Sequence, residues 1–415
     1  MSAAAPRKPL KPLDQALAEL LAQATPLAGV DTVSLFDADG RVLAHSAVSP
    51  LQVPPQDNSA MDGYALRCAD VAQPGAVLPV SQRIPAGSVG TPLQPGTAAR
   101  IFTGAPIPAG ADTVLMQEDC TALDDGRVRI NAAPQLHQWI RRAGEDIALG
   151  AEVLRAGTRL TPAELGLAAS IGLAQLSVAR RPRVALFSTG DELVMPGDVA
   201  PQDLPPGRIY NSNRFFLRAL LLRLGCEVTD LGIVPDQLDA TLDALRSASG
   251  GHDVILTSAG VSVGEEDHVK PAVEALGRLD LWQIGMKPGK PFAYGRIDNA
   301  AGAAHFIGLP GNPVASLMTF LLLVRPFVLR LQGVQNVAPA VTPMRADFAC
   351  PKADARREFL RVRRNEHGGL DVFRNQSSGV LTSTAWGDGV VDNPAGQTIA
   401  PGDTVRFMSF AELLS

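Results

Sequence analysis

Two lysines flank a proline–glycine turn in "MKPGKP", Met286 to Pro291, so the ammoniums of Lys287 and Lys290 can point at one phosphate or oxyanion. "LPGNP", with Pro310, Gly311, Asn312 and Pro313, stands directly before an apolar run. Asn312 can cap a helix there, Pro313 suits its first position, and Gly311 lets backbone approach a ligand. Exposed N–H groups and the positive end of the helix dipole then make an anion site. Taken alone, "LPGNP" is only a well-capped helix start, and single lysines are usually solvated. "SAGVSVGEEDH" (Ser258–His268) adds backbone donors at Gly260 and Gly264, the Ser262 hydroxyl and three acids. "STGDEL" contributes Ser188, Thr189, Gly190 and Glu192, and Asp236 follows another apolar stretch. Carboxylates such as Glu192, Asp236 and Asp267 beside an anion site make sense when Mg2+ bridges them to phosphates. Capping of the next helix is the alternative for Asp267.

A second concentration lies earlier in the chain. "PPQDNSAMDGYAL" carries Asp57, Asn58, Ser59 and Asp62, "FTGAPIPAGAD" carries Thr103, and "RRAGEDI" sets Arg141 and Arg142 before Glu145 and Asp146. Turn-forming and capping roles account for each fragment by itself.

The elements that must hold these residues follow from pattern. "RVALFST", "EVTDLGIV" and "DVILTSAG" are near-continuous apolar strands. They alternate with the helical stretches "NSNRFFLRALLLRLG", "QLDATLDALRSAS" and "DHVKPAVEALG". That alternation predicts a mostly parallel sheet covered on both faces, with its loops converging on the carboxyl rim. "LDLWQIGM", "PFAYGRI" and "AHFIGL" are later strands, and a long helix opens at Asn312. Short apolar pieces between Gly/Pro turns from Val53 to about Gly144 read as a β-rich unit. "GTRLTPAELGLAASIGLAQLSV" reads as helical, with Thr161, Pro162 and Glu164 forming its start, and "DQALAELLAQ" as a short helix. "EFLRVRR", "LDVFR" and "DTVRFMSF" indicate a final small β unit.

With 415 residues, about three domains are expected. A net charge of -5 gives no field that would draw in nucleic-acid phosphates. The four cysteines, Cys68, Cys120, Cys226 and Cys350, are too scattered for a zinc site or disulfide framework and suit a reducing cytoplasm. The N-terminus lacks an apolar signal core, and "SLMTFLLLVRPFVLRL" meets Arg325 and Pro326 too early to span a bilayer. A cytoplasmic protein without a membrane partner is expected.

Taken in order, "DNSAMDGYA", "RIFTGAPIPAGADTV", "GEDI", "STGDEL", "GVSVGEED", "KPGKP" and "LPGNP" closely resemble the molybdopterin molybdenumtransferases, the bacterial MoeA and gephyrin E-domain family. The likeness runs from about Leu13 to the C-terminus. It implies a multidomain α+β and α/β protein. A helical domain would span 10–50 and 147–182, an inserted β-rich domain 51–146, a MogA-like α/β domain 183–332, and a β-barrel 333–415. It also implies a homodimer whose cleft draws on both subunits, and insertion of molybdenum from molybdate into adenylylated molybdopterin with release of AMP, assisted by Mg2+. By motif position, Asp62, Thr103, Asp146, Glu192, Asp236 and Asp267 would be the functional residues, with Lys287, Lys290, Pro310 and Pro313 matching also. Transient contacts with the adenylyltransferase and with molybdoenzyme chaperones would follow. Departures are Ala259 in place of a usual Gly, His268 in place of a usual Tyr, Gln283 where some relatives have Lys, and the "AWGDG" turn. Two rivals are an adenylyltransferase, which the α/β unit alone would suit, and a non-enzymatic scaffold. The N-terminal motifs count against the first and the intact acidic set against the second.

Overall fold

The computed structural model describes residues 10–260, 268–300 and 302–414. Its organising element is a six-stranded sheet in the order Glu227–Val234, Arg183–Thr189, Val254–Ser258, Gly302–Leu309, Pro291–Asn299, Gly277–Gln283. The first four strands are parallel and the last two are antiparallel additions at one edge. The three central parallel strands are nearly all buried, as strands covered on both faces must be. Helices Asn213–Arg223, Leu238–Ser249 and Val269–Leu276 connect them.

The helix that opens after Asn312 runs from Pro313 to Leu331, 19 residues with a mean hydropathy of 1.8. It is long and apolar enough to cross a membrane, yet 89% of its most apolar window is buried inside the protein. A π turn, Phe320–Val324, stands just ahead of Pro326. Proline lacks an N–H and clashes with the carbonyl one turn back, so the wider turn admits it without breaking the helix.

The N-terminal helix Leu13–Leu21 packs on this long helix. Leu13, Ala16 and Leu20 share one apolar core with it and with the barrel residues Phe359, Val390, Met408 and Phe410. Each large side chain fully buried there stabilises by roughly 2 kcal/mol. One core therefore clamps the first helix, the α/β unit and the C-terminal unit together.

The segment expected to be helical from Gly157 to Val178 divides in two. Only Pro162–Ser170 is helix, opened by a capping box in which the Glu164 carboxylate accepts the Thr161 N–H at 2.9 Å. Gly172, at φ +81°, ends it. Gln175–Ala179 is a strand antiparallel to Val30–Ser34. Leu176 and Val178 alternate inward, a two-residue period masked by the apolar content of the neighbouring helix. This N-terminal unit thus carries short strands beside its helices.

The β-rich stretch forms a six-stranded sheet in the order Thr113–Met116, Gly63–Leu66, Ala98–Ile101, Val77–Ile84, Arg127–Ile130, Cys120–Ala122. The C-terminal unit pairs Thr342–Arg345 with Thr404–Ser409, then Gly389–Asn393, Arg357–Arg364 and Leu370–Val372. An Ala346–Leu370 bridge closes that path into a barrel. Met286–Lys287, from the α/β chain, adds a parallel rung to Arg357–Glu358 at its side.

Candidate functional site

A cavity of about 880 Å³ opens where the carboxyl rim of the parallel sheet meets the barrel. Glu192, Ser258, Ala259, Gly260, Lys287, Lys290, Pro310, Gly311, Asn312 and Pro313 all line it, so four separate turns converge as expected. Ser188, Thr189 and Gly190 do not line it. The two hydroxyl residues are buried beneath, and Gly190 makes the turn that carries Glu192 outward. A Cβ at Gly190 would lie 2.5 Å from a Glu192 carboxylate oxygen. Gly260, at φ +72°, is constrained in the same way: a Cβ there would meet Val269 at 2.4 Å and the Thr189 hydroxyl at 3.0 Å. Ser262, Gly264 and Asp267 lie outside the described residues.

What aligns these turns is a side chain that pattern reading passed over. Buried Asn213, at the start of its helix, donates through Nδ2 to Ser258 Oγ at 2.8 Å and to the Gly311 carbonyl at 2.7 Å. It pins the "SAG" and "LPGNP" turns together. Ala259, where a glycine is usual in the family it resembles, sits at φ +79°. Its methyl projects toward Gly311, where a Cβ would meet it at 3.5 Å. Neighbouring Asn211 also lines the cavity, and its Nδ2 is buried without a partner among the described residues.

The two lysines part company. Lys287 donates to Glu358 Oε1 at 2.8 Å and to Asp354 Oδ2 at 3.2 Å, so barrel acids hold it in place while it lines the cavity. Glu358 is the larger reason its ammonium is held above the ordinary lysine range. Lys290, beyond the turn, is exposed at the rim. Gly289 between them must be glycine: at φ +115°, a Cβ would stand 2.6 Å from the Thr319 hydroxyl. Asn312 precedes the helix in extended conformation, but its side chain makes no capping bond. The Val314 N–H is taken by the Ser378 carbonyl of the barrel at 2.9 Å.

That carbonyl belongs to a wall the motif reading did not find. Gln376, Ser377, Ser378 and Gly379 line the cavity, as does Arg356, which is held by Asp354 at 2.9 and 3.0 Å. The cluster of polar and glycine residues in "NQSSG" is a turn signal, but nothing local connects it to the distant rim.

The earlier motifs form a patch of their own, outside the cavity lining. Asp62 Oδ1 accepts the Thr103 N–H at 2.8 Å and the Thr103 hydroxyl at 2.7 Å. The amide bond first and the hydroxyl second hold the Asp62 carboxyl below the usual carboxylate range. Asn58–Ser59 pairs with Ile140–Arg141, and Asp57 accepts from Arg142 at 2.6 Å. Asp146, exposed, donates its N–H to the Val53 carbonyl at 3.0 Å. The three N-terminal fragments are thus stitched into one surface.

Asp236 is half-buried beyond Glu227–Val234 and is not part of the lining. Gln283 and His268 also lie off it. Among the described residues, no three His, Cys, Asp or Glu side chains cluster closely enough to cage a metal ion, and Glu192 is the one carboxylate lining the cavity. One carboxylate with room for water beside it is compatible with Mg2+, which keeps much of its hydration.

Three family profiles match the chain in succession: the MoeA N-terminal region (domain I and II) at residues 11–172, a probable molybdopterin binding domain at 185–330, and the MoeA C-terminal region (domain IV) at 343–410. The molybdopterin molybdenumtransferase of Haemophilus influenzae is 39% identical over 97% of this chain and 99% of its own length. That of a Nostoc species is 38% identical over 89% and 86%. A crystal structure of the molybdopterin biosynthesis MoeA protein from Pyrococcus horikoshii superposes with a TM-score of 0.84 at 27% identity, covering 97% of this chain and all of the other. End to end, in sequence and in architecture, the chain belongs to the molybdopterin molybdenumtransferase family.

Proposed function

We propose that the chain inserts molybdenum into molybdopterin, consuming adenylylated molybdopterin and molybdate and releasing AMP. The observation that carries this reading is the convergence of the "STGDEL", "SAG", "KPGKP" and "LPGNP" turns on one cavity. An adenylylated pterin presents phosphates, and Lys287, Lys290 and Arg356, all in the lining, would receive them. Molybdate is a dianion that avoids bare carboxylates, so these cations and the backbone amides of the glycine turns also hold the oxyanion. Glu192 would hold Mg2+ together with water and substrate phosphate, which neutralises charge as AMP departs.

Asp62, Thr103 and Asp146 complete the site from a second copy of the chain. Their patch is preorganised yet stands outside the cavity of its own chain. The carboxylates of this patch orient water or take up protons as oxo ligands leave. Asp236 and Asp267 would join Glu192 as the rim carboxylates that serve Mg2+. Within this scheme the units 10–50 with 147–182, 51–146, 183–332 and 333–415 divide the work, the second supplying acids and the last two the cavity. The protein acts in the cytoplasm as a homodimer, with transient contacts to the adenylyltransferase and to molybdoenzyme chaperones.

The test is to incubate purified protein with adenylylated molybdopterin, molybdate and Mg2+ and to measure AMP and active cofactor. Release of both is expected. Adenylylation of free molybdopterin by ATP would instead make it an adenylyltransferase, and binding without turnover a scaffold.

A further inference from the structure

Among the described residues Arg361 is the largest fully buried side chain, 1% exposed, and no acid pairs with it there. Burial alone pushes its guanidinium down to about 10, which leaves it charged at neutral pH. A buried cation without a counter-ion is costly, and an apolar side chain of similar volume would fill the space without that penalty. What Arg361 does instead is donate in three directions. Nη1 reaches the Phe359 carbonyl at 2.9 Å, Nε the Ser383 hydroxyl at 3.2 Å, and Nη2 the Ser377 carbonyl at 3.4 Å.

Two of those partners bracket the cavity wall. Ser377 belongs to it, and Ser383 sits in the short helix Thr382–Trp386 that follows. The backbone of Arg361 grips the same segment. Its N–H donates to Gln376 Oε1 at 2.9 Å, and the Gln376 amide returns a bond to its carbonyl at 3.1 Å. Side chains alternate along Arg357–Arg364, so Arg361 shares a face with Phe359, which packs in the core common to barrel and α/β unit. Leu360 and Val362 face the barrel interior. Arg361 therefore stands at the seam where the two units enclose the cavity.

The peptide plane supplies the consequence. The Ser377–Ser378 bond is trans, so a carbonyl turned toward Arg361 turns the Ser378 N–H the opposite way. Ser378 lines the cavity, and its N–H has no partner among the described residues.

We propose that Arg361 is a positioning residue for the cavity, latching the Gln376–Gly379 wall to the barrel so that the Ser378 amide is presented to the anionic part of the substrate. The proposal rests on the reading of the cavity as the site for adenylylated molybdopterin. The latch contributes no atom to the reaction. It adds to the bonds that the Ser377 carbonyl takes from the Val380 N–H at 3.3 Å and the Ser378 carbonyl from the Val314 N–H at 2.9 Å.

The experiment compares wild type with Arg361→Met and Arg361→Lys. Hydrogen exchange is measured over 374–381 and over the barrel strand Gly389–Asn393, and KM and kcat for adenylylated molybdopterin are measured in parallel. Arg361→Met is expected to speed exchange in 374–381 alone and to raise KM about tenfold while kcat changes by less than about threefold, with Arg361→Lys between the two. Unchanged exchange in that segment, or a lowered melting temperature with wild-type KM, would overturn the latch. Gln376→Ala cuts the tether from the loop side and is expected to repeat both changes. Wild-type exchange and KM in that variant would refute the proposal even if Arg361→Met did not fold. If wild type itself turns over no substrate, the functional reading fails, while the exchange comparison still decides the latch.

Discussion

Asp62 and Thr103 are 41 positions apart and share one carboxylate oxygen through two hydrogen bonds. A carboxylate so held stays ionised to lower pH than a free one, which suits the proposed orienting of water and makes it a weaker base. The sign follows from the lowered titration point. The bonds stabilise the fold above the unfolded carboxylate range and stop doing so as pH falls through the folded value. Replacing Thr103 with Val keeps the amide donor and removes the hydroxyl, so the Asp62 midpoint should rise toward the ordinary range in an NMR titration. Asp62→Asn is expected to lower AMP release by roughly tenfold or more, because a neutral amide loses the charge that orients water, while the melting temperature stays near wild type. A variant with full activity would remove Asp62 from the functional set.

Elements decide whether such residues meet. Asn213, one side chain at a helix start, joins two turns that leave different strands. Asn213→Ala leaves the Gly311 carbonyl and Ser258 hydroxyl short of a donor in a buried place. A loss of about 1–3 kcal/mol in urea unfolding is expected, together with a raised KM. If stability and KM both held, the turns would be aligned by something else.

The strands of the parallel sheet were legible in the sequence because burial on both faces leaves a plain apolar run. The rim motifs were legible too, since a parallel sheet must send its carboxyl-end loops to one side. Three features were not. The strand Gln175–Ala179 hides its two-residue period behind an apolar helix, and its partner Val30–Ser34 is far away in sequence. The Glu358 and Asp354 partners of Lys287 come from the barrel, 71 and 67 residues on, so its ion pairs could not be read beside the motif. The Gln376–Gly379 wall carries no chemistry-bearing group of unusual type, so only tertiary contact marks it.

At the scale of the whole molecule, two organised surfaces stand apart on one chain. No residue between 51 and 146 lines the cavity, although the Asp62–Thr103 patch is as well ordered as the rim. In the homodimer proposed above, the patch of each chain would meet the cavity of the other. Mixing inactive Asp62→Asn with inactive Lys290→Ala is then expected to restore up to about a quarter of wild-type activity, because half the pairs are mixed and each has one intact site. Lack of any recovery after exchange of subunits, verified by native mass spectrometry, would mean that each chain works with its own residues only.

The rung that Met286–Lys287 adds to Arg357–Glu358 sets a limit on movement. The turn carrying Lys290 grows directly from that rung, and the barrel end opposite grows from the strand it is bonded to. A swing of the turn away from the barrel would have to break that two-residue rung, so the rung restrains the gap between them. Widening the mouth for a larger guest therefore carries the added cost of those rung bonds.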